Sequence, residues 1–344
     1  MNIKEYVSKY DPENQFDVMA KYYEQVQNTW NKELNITNKI ENISNIVITG
    51  LGGSAIAGDL LREFLKDELK IPLIVNRNYS LPKFIDKNTL CIFSSYSGNT
   101  EETFEALTKA IKLDCNIICV TTGGKIAEIA HQNNVTCFML TKGYQPRYAL
   151  GTSFFTLLKI FSQLNLISNQ DDIVNKIINL WKDKGSKYSL DDNIAYNYAS
   201  NLIGYVPVIY SGADVTSALG MRFKCQFNEN SKLIAFQNVI PEMNHNEIIG
   251  WETYDSTQFK TVVICIVDDS YHSQVKKRFK IISELINKSK VEVITIESNE
   301  NIFKLRLMDL IYLTDWISYY LCLLRGKDPS EIDNIRYLKN ALAS

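Results

Sequence analysis

LCIFSSYSGNTEETFEAL, residues 90–107, decides how the rest of the chain is read. Residues 90–93 form a short apolar run of strand character, and residues 104–107 begin a helical pattern. Between them lie Ser94, Ser95, Ser97, Thr100 and a single glycine, Gly98, with Glu101 and Glu102 just behind Thr100. Thr100 fits an N-cap followed by an acidic first turn, so the stretch reads as a strand passing directly into a helix. Hydroxyls and a glycine at such a junction also suit an anion, which the exposed N–H groups of a helix start attract.

The same unit recurs along the chain. A helical lead-in covers 16–34. Strands follow at 45–50, 71–76, 90–94, 116–122 and 135–140, with helices at 54–65, 100–112 and 125–132. The Val/Ile/Leu runs do not alternate with polar residues, as expected for parallel strands covered by helices on both faces. A helical stretch at 148–202 is punctuated at 169–172 and 183–187. The pattern then restarts: a strand at 206–212, a helix at 213–230, strands in KLIAFQ (232–237), TVVICIV (261–267) and VEVITIE (291–297), and helices at 273–288 and 303–325 before a tail with Pro329. NIVITGLGGSAIAGDLL (45–61) and VPVIYSGADVTSALGMRF (206–223) resemble two copies of one strand–glycine turn–helix unit. The expectation is α/β architecture in two doubly wound parallel-sheet domains, 1–165 with the lead-in and 166–344 with a C-terminal helical tail.

Composition narrows the class. A chain of 344 residues, 45% hydrophobic and 22% charged, suits two globular domains. A net charge of −2 with no basic block gives no footprint for nucleic acid. The N-terminus lacks an apolar signal core, and no uninterrupted apolar run reaches spanning length. Seven scattered cysteines, an odd number, read as buried free thiols, and a cytoplasmic location is expected.

Gly50-Leu51-Gly52-Gly53-Ser54-Ala55 fits the loose dinucleotide pattern G-x-G-x-x-A. The next strand ends Asn76-Arg77 without the acidic residue that holds a ribose diol, although Arg77 could meet a 2′-phosphate. The other readings are a tight packing turn and, with the SSYSGNT junction, a phosphate cradle of Ser54, Ser95, Ser97 and Thr100. A Walker loop is excluded by sequence, and so is an H-E-x-x-H metal motif. Farther on, Glu229 sits near a helix end, where a carboxylate is ordinarily solvated. His245 is one of three histidines and lies among Asn244, Asn246 and Glu247, a setting that permits titration near neutrality. His131 and His272 fall on ordinary helix positions.

Together GLGGSAIAGDLL, NRNYSLP, SSYSGNTEET, PRYALG, FNEN, PEMNHNEIIGW, LLRGKDPSEID and YLK resemble the bifunctional phosphoglucose/phosphomannose isomerases, built from two sugar-isomerase (SIS) domains of flavodoxin-like type. The resemblance runs from about residue 46 to residue 339. It implies a sugar 6-phosphate substrate, aldose–ketose isomerisation through an enediolate, no metal or cofactor, and a homodimer. It places Gly53, Ser54, Ser95, Ser97 and Thr100 at the phosphate and Arg147 at the enediolate. It makes Glu229 the base between C1 and C2, with His245, contributed by the partner subunit, and Lys339 assisting ring opening. A carboxylate base, a fixed guanidinium and an imidazole are the residue types this reaction needs. The rivals are a non-catalytic SIS module that senses a sugar phosphate and an NADP-dependent oxidoreductase.

Overall fold

The structure, a computed structural model, describes residues 3–36, 40–257 and 260–343. The chain forms two compact units: Tyr22–Asn179, and Met1–Lys21 together with Leu180–Ser344.

The first unit is built on five parallel strands: β1 (Asn45–Thr49), β2 (Leu73–Asn76), β3 (Thr89–Ser95), β4 (Asn116–Thr121) and β5 (Thr136–Met139). Their order is β2-β1-β3-β4-β5. The apolar runs seen in sequence are the reason: every residue of β3 is buried, and Ile48 of β1 pairs in register with Ile92 of β3. Sheet-facing side chains such as Val47, Cys91, Phe93 and Cys119 form one continuous core with Ala106 and Leu107 of the helix Glu101–Ala110. The helix Leu150–Gln163 is buried over most of its length and sets Phe154 edge-on to Phe64 at 5.3 Å. From β1 the chain winds outward to β2; from β3 it winds the other way to β4 and β5. The reversal therefore lies between β1 and β3, where an open parallel sheet has its crevice at the carboxyl ends of the strands.

The second unit repeats the plan with β6 (Val206–Gly212), β7 (Phe236–Ile240), β8 (Thr261–Ile266) and β9 (Glu292–Ile296), all parallel, in the order β7-β6-β8-β9. The strand expected at 232–237 forms later, at Phe236–Ile240. Residues 232–233 are used to end the preceding helix instead: Lys232 turns left-handed at φ 53° and the Leu233 N–H returns to the Phe227 carbonyl. The helix Phe303–Leu324 is long and apolar enough to cross a membrane by composition, but its apolar window is 94% buried inside the protein. It carries Trp316, Tyr319 and Tyr320: Trp316 stacks on Tyr320 and meets Tyr319 and Phe16 edge-on. The Tyr319 hydroxyl donates to Asp11 (2.7 Å) and that of Tyr312 to the Met19 carbonyl (2.6 Å). Residues 1–21 thus belong to this unit, whereas the sequence pattern grouped them with the first sheet, and the units divide at 179/180 rather than 165/166.

Candidate active site

Two strand-to-helix junctions flank the reversal of the first sheet. The helix Gly52–Phe64 follows β1, and the helix Glu101–Ala110 follows β3. Neither has a side-chain cap. This corrects one expectation: Thr100 occupies the N-cap position, but its hydroxyl turns away from the helix to pair with Ser95 Oγ at 2.8 Å. The third N–H of each helix returns to a main-chain carbonyl, Ser54 to Leu51 and Thr103 to Thr100, both at 3.1 Å, so side chains cap neither start and the positive ends of two helices meet at the reversal.

The junction after β3 is held in shape by its own side chains. The Gly98 N–H donates to Ser95 Oγ (3.1 Å) and the Asn99 N–H to Ser97 Oγ (3.3 Å). Gly98 is left-handed at φ +71°, and a Cβ there would lie 1.7 Å from the Gly123 carbonyl oxygen, so only glycine fits. The Thr122 hydroxyl donates to the Tyr96 carbonyl (2.7 Å), and Asn99 Oδ1 accepts from the Lys125 N–H (3.1 Å). Ser54 links the two junctions, its Oγ accepting from the Tyr96 N–H at 3.1 Å. Ser54 and Ser95 are buried, Thr100 is half-buried, and Ser97 is exposed at the tip.

Arg147 arrives at the same place for a steric reason. It lies in the short helical turn Pro146–Tyr148, and a Cβ on Gly53 would sit 2.8 Å from the Pro146 carbonyl oxygen. The missing side chain lets the Pro146–Arg147 backbone pack directly on the start of the helix Gly52–Phe64. Arg147 is buried, with its guanidinium 5.3 Å from the Tyr148 ring centroid. The Tyr148 carbonyl accepts from the Gln25 side-chain amide at 2.8 Å, which fixes the turn from the other side. Gly53, Ser54, Ser95, Ser97, Thr100 and Arg147 are thus gathered around one pair of junctions in the first unit. Arg77, weighed as a 2′-phosphate ligand, is engaged in an ion pair with Asp59 of the helix Gly52–Phe64.

In the second unit Glu229 is the last residue of the helix Ser217–Glu229. Its helix is fixed by a buried polar face. Arg222 grips Asp315 through Nε (3.0 Å) and Nη2 (2.6 Å), and Gln226 donates to the same carboxylate at 2.9 Å. One turn farther on, Asn230 donates to Ser318 Oγ (3.0 Å) and Ser231 to the Ser318 carbonyl (2.6 Å). Glu229 is half-buried at the edge of a cavity of about 450 Å³ that Asn228, Lys232, Lys327 and Ile335 also line. His245 ends the turn Glu242–His245 and is exposed; Lys339 is exposed on the helix Asp333–Ala343. His272 accepts from the Gln274 N–H through Nδ1 (3.2 Å), a capping role in keeping with its position at a helix start.

The second copy of the glycine-turn unit is closed. At the end of β6 the Gly212 N–H donates to both Thr216 Oγ1 and Tyr271 Oη at 3.0 Å, and Tyr271 donates to the Ile266 carbonyl at the end of β8 (2.9 Å). The Tyr271 phenol therefore packs against the end of β6, where a Cβ on Gly212 would lie 2.4 Å from its ring.

Residues 191–342 match the family model for the bacterial phospho-glucose isomerase C-terminal SIS domain. The chain is 39% identical to the bifunctional phosphoglucose/phosphomannose isomerase of Caldicellulosiruptor bescii over 95% of its own length and 98% of that protein's. It is 32% identical to the one from Aquifex aeolicus, over 96% and 98%. The chain belongs to the bifunctional phosphoglucose/phosphomannose isomerase family. The fold is shared more widely. A hypothetical protein from Thermus thermophilus superposes with a TM-score of 0.71 at 13% identity, covering 96% of this chain and 87% of that one. The C-terminal domain of glucosamine-fructose-6-phosphate aminotransferase from Francisella tularensis gives 0.68 at 16%, covering 92% and 96%. For this family member, the sequence pattern left out Tyr96 and Thr122, which shape the junction through contacts at the Tyr96 backbone, and Glu247, whose partners Tyr210 and Asn238 lie on two adjacent strands. Gly98, by contrast, was visible in the sequence as a glycine between hydroxyl residues where the chain must turn.

Proposed function

We propose that this isomerase interconverts glucose 6-phosphate and mannose 6-phosphate with fructose 6-phosphate through an enediolate, with no metal in the step. The observation that carries the reading is the pair of uncapped helix starts at the β1/β3 reversal, tied together by Ser54 and abutted by Arg147. Neutral donors and helix ends of this kind suit a phosphate that must later be released. Main-chain N–H groups at Gly53 and at the start of the helix Glu101–Ala110, with the hydroxyls of Ser54, Ser95, Ser97 and Thr100, hold the phosphate. Ser54 and Ser95 have a second task, since each also accepts a backbone N–H that shapes the site.

Glu229 removes the proton from the carbon beside the carbonyl and returns it to the neighbouring carbon. Arg147 stabilises the enediolate oxygen, a contribution of about 3 kcal/mol by analogy with an oxyanion-hole donor. His245 and Lys339 move protons between the ring oxygen and the anomeric hydroxyl. The active form is a homodimer in which His245 serves the partner's site, a reading supported by its exposure on an outward turn. We place the enzyme in the cytoplasm. The test is a coupled assay of purified protein with each aldose 6-phosphate in excess chelator. Formation of fructose 6-phosphate from both substrates supports the proposal; failure with both refutes it, and loss of turnover in chelator refutes the metal-free step.

A further inference from the structure

His245 and Glu247 are separated by one residue but face opposite environments. His245 is exposed, whereas Glu247 is half-buried and has both carboxylate oxygens engaged. Tyr210 Oη donates to Oε1 at 2.5 Å, and Asn238 Nδ2 donates to Oε2 at 2.6 Å. Tyr210 lies in β6 and Asn238 in β7, and the two are register partners on adjacent strands. The carboxylate therefore bridges a matched pair of positions on the sheet. Trp251 Nε1 donates to the same Tyr210 oxygen at 2.8 Å, closing the network on the loop side.

The loop is pinned at an interval of four residues: Met243 is fully buried, Glu247 is bonded to the sheet, and Trp251 is buried in the core around Tyr210. His245 projects between the first two pins. Between His245 and Glu247, Asn246 Oδ1 accepts from the Glu247 N–H at 2.6 Å and stiffens the link. Two converging donors require a group that only accepts, which a carboxylate does and an amide does not. Burial pushes the Tyr210 phenol well above its ordinary range, and the bond to Glu247 pushes it the same way, so Tyr210 stays a donor at neutral pH.

We infer that Glu247 is a positioning residue, which through Tyr210 and Asn238 holds the loop so that His245 is presented for proton transfer in the isomerisation. The inference rests on the reading of His245 as a proton shuttle. Glu247→Gln preserves shape but sets an NH₂ group against one of the two donors. Tyr210→Phe removes a single hydroxyl and serves as an independent variant should the first fold poorly.

The test uses the full-length enzyme, with kcat and KM for an aldose 6-phosphate and the inhibition constant of inorganic phosphate. Both variants should lower kcat about 10-fold or more through misplacement of the shuttle, with KM and phosphate inhibition within about twofold of wild type. In a His245→Ala background neither substitution should lower kcat further, since residues that act as a unit are not additive. A further fall of the same factor in that background overturns the inference and leaves the reading of His245 standing. Wild-type kcat in both single variants overturns it as well. Wild-type kcat in His245→Ala alone overturns the reading beneath it, and the inference with it.

Discussion

Ser54 Oγ accepts the Tyr96 N–H at 3.1 Å, and this bond joins the turn after β1 to the turn after β3. Both groups are buried, so nothing in solvent replaces the acceptor once it is lost. Ser54→Ala should cost about 1–3 kcal/mol of stability by stranding the Tyr96 N–H. It should also raise KM for a sugar phosphate more than it lowers kcat, because the affected groups belong to the proposed phosphate cradle and not to the proposed acid–base residues. Steady-state kinetics with a urea melt measure both; a change in kcat alone would count against the phosphate assignment.

Gly98 is the position where the junction tolerates no side chain. Its left-handed backbone costs a residue with a Cβ about 1–2 kcal/mol. The Cβ must also displace the Gly123 carbonyl, 1.7 Å away in the glycine structure. Gly98→Ala should therefore destabilise the protein by about 2–4 kcal/mol and weaken phosphate inhibition at least tenfold. Thermal melting and inhibition by inorganic phosphate report the two effects separately. Near-normal phosphate inhibition in a folded variant would show that the loop's shape is unimportant to binding.

The Arg222–Asp315 pair fixes the helix that ends in Glu229 and is buried on both sides. Asp315→Ala leaves a buried guanidinium without its partner and should cost about 3–5 kcal/mol. Replacing both residues, as Arg222→Met with Asp315→Leu, should cost clearly less, since no charge is then stranded. Urea midpoints of the three proteins decide it; equal losses for the single and double variants would refute the desolvation argument.

The doubly wound architecture was legible because its signals are local. Apolar runs such as 90–93 and 261–267 carry their own burial, and glycine turns mark where each run ends. The positions of Ser54, Ser95 and Thr100 were legible for the same reason, but the direction of their hydroxyls was not. Thr100 looks like a cap from its neighbours alone; that it turns to Ser95 depends on the left-handed Gly98 folding the loop back. The two copies of the strand–turn–helix unit look alike in sequence, and only the placement of Tyr271, some sixty residues after Gly212, shows that one is closed. Likewise the place of residues 3–21 in the second unit rests on bonds that Asp11 and Met19 accept from tyrosines about 300 positions away, which no local pattern carries.

Acid should loosen the second unit through Asp268. Burial raises its carboxyl, but the Arg306 fork (2.8 and 3.1 Å) and the Ser270 N–H (2.7 Å) outweigh that, leaving it below the ordinary value of 3.8. A carboxyl depressed in the folded state binds protons less readily there than when unfolded, so its contribution is complete above the unfolded value. It is lost as pH falls from about 4 through the folded value. Urea midpoints should fall below pH 4 in the wild type and fall less steeply in Asp268→Asn, which has no such proton to bind. Parallel slopes would show that other carboxyls dominate the acid limb.

Glu229→Gln separates binding from chemistry. The amide keeps the size of the side chain at the end of the helix Ser217–Glu229 but takes no proton from carbon. Isomerisation should fall by about 10²–10⁴, the usual worth of a positioned general base. Inhibition by inorganic phosphate should stay within about twofold of wild type, because the proposed phosphate cradle consists of main-chain groups and hydroxyls remote in sequence from the proposed base. Solvent-hydrogen exchange at C2 of the aldose supplies a third reading: it should vanish with turnover if Glu229 takes the proton, and persist if another group does. Glu229→Asp, one methylene shorter, should fall between wild type and Glu229→Gln, since the carboxylate survives but its reach does not. Turnover near wild type in Glu229→Gln would move the base elsewhere while leaving the phosphate cradle intact.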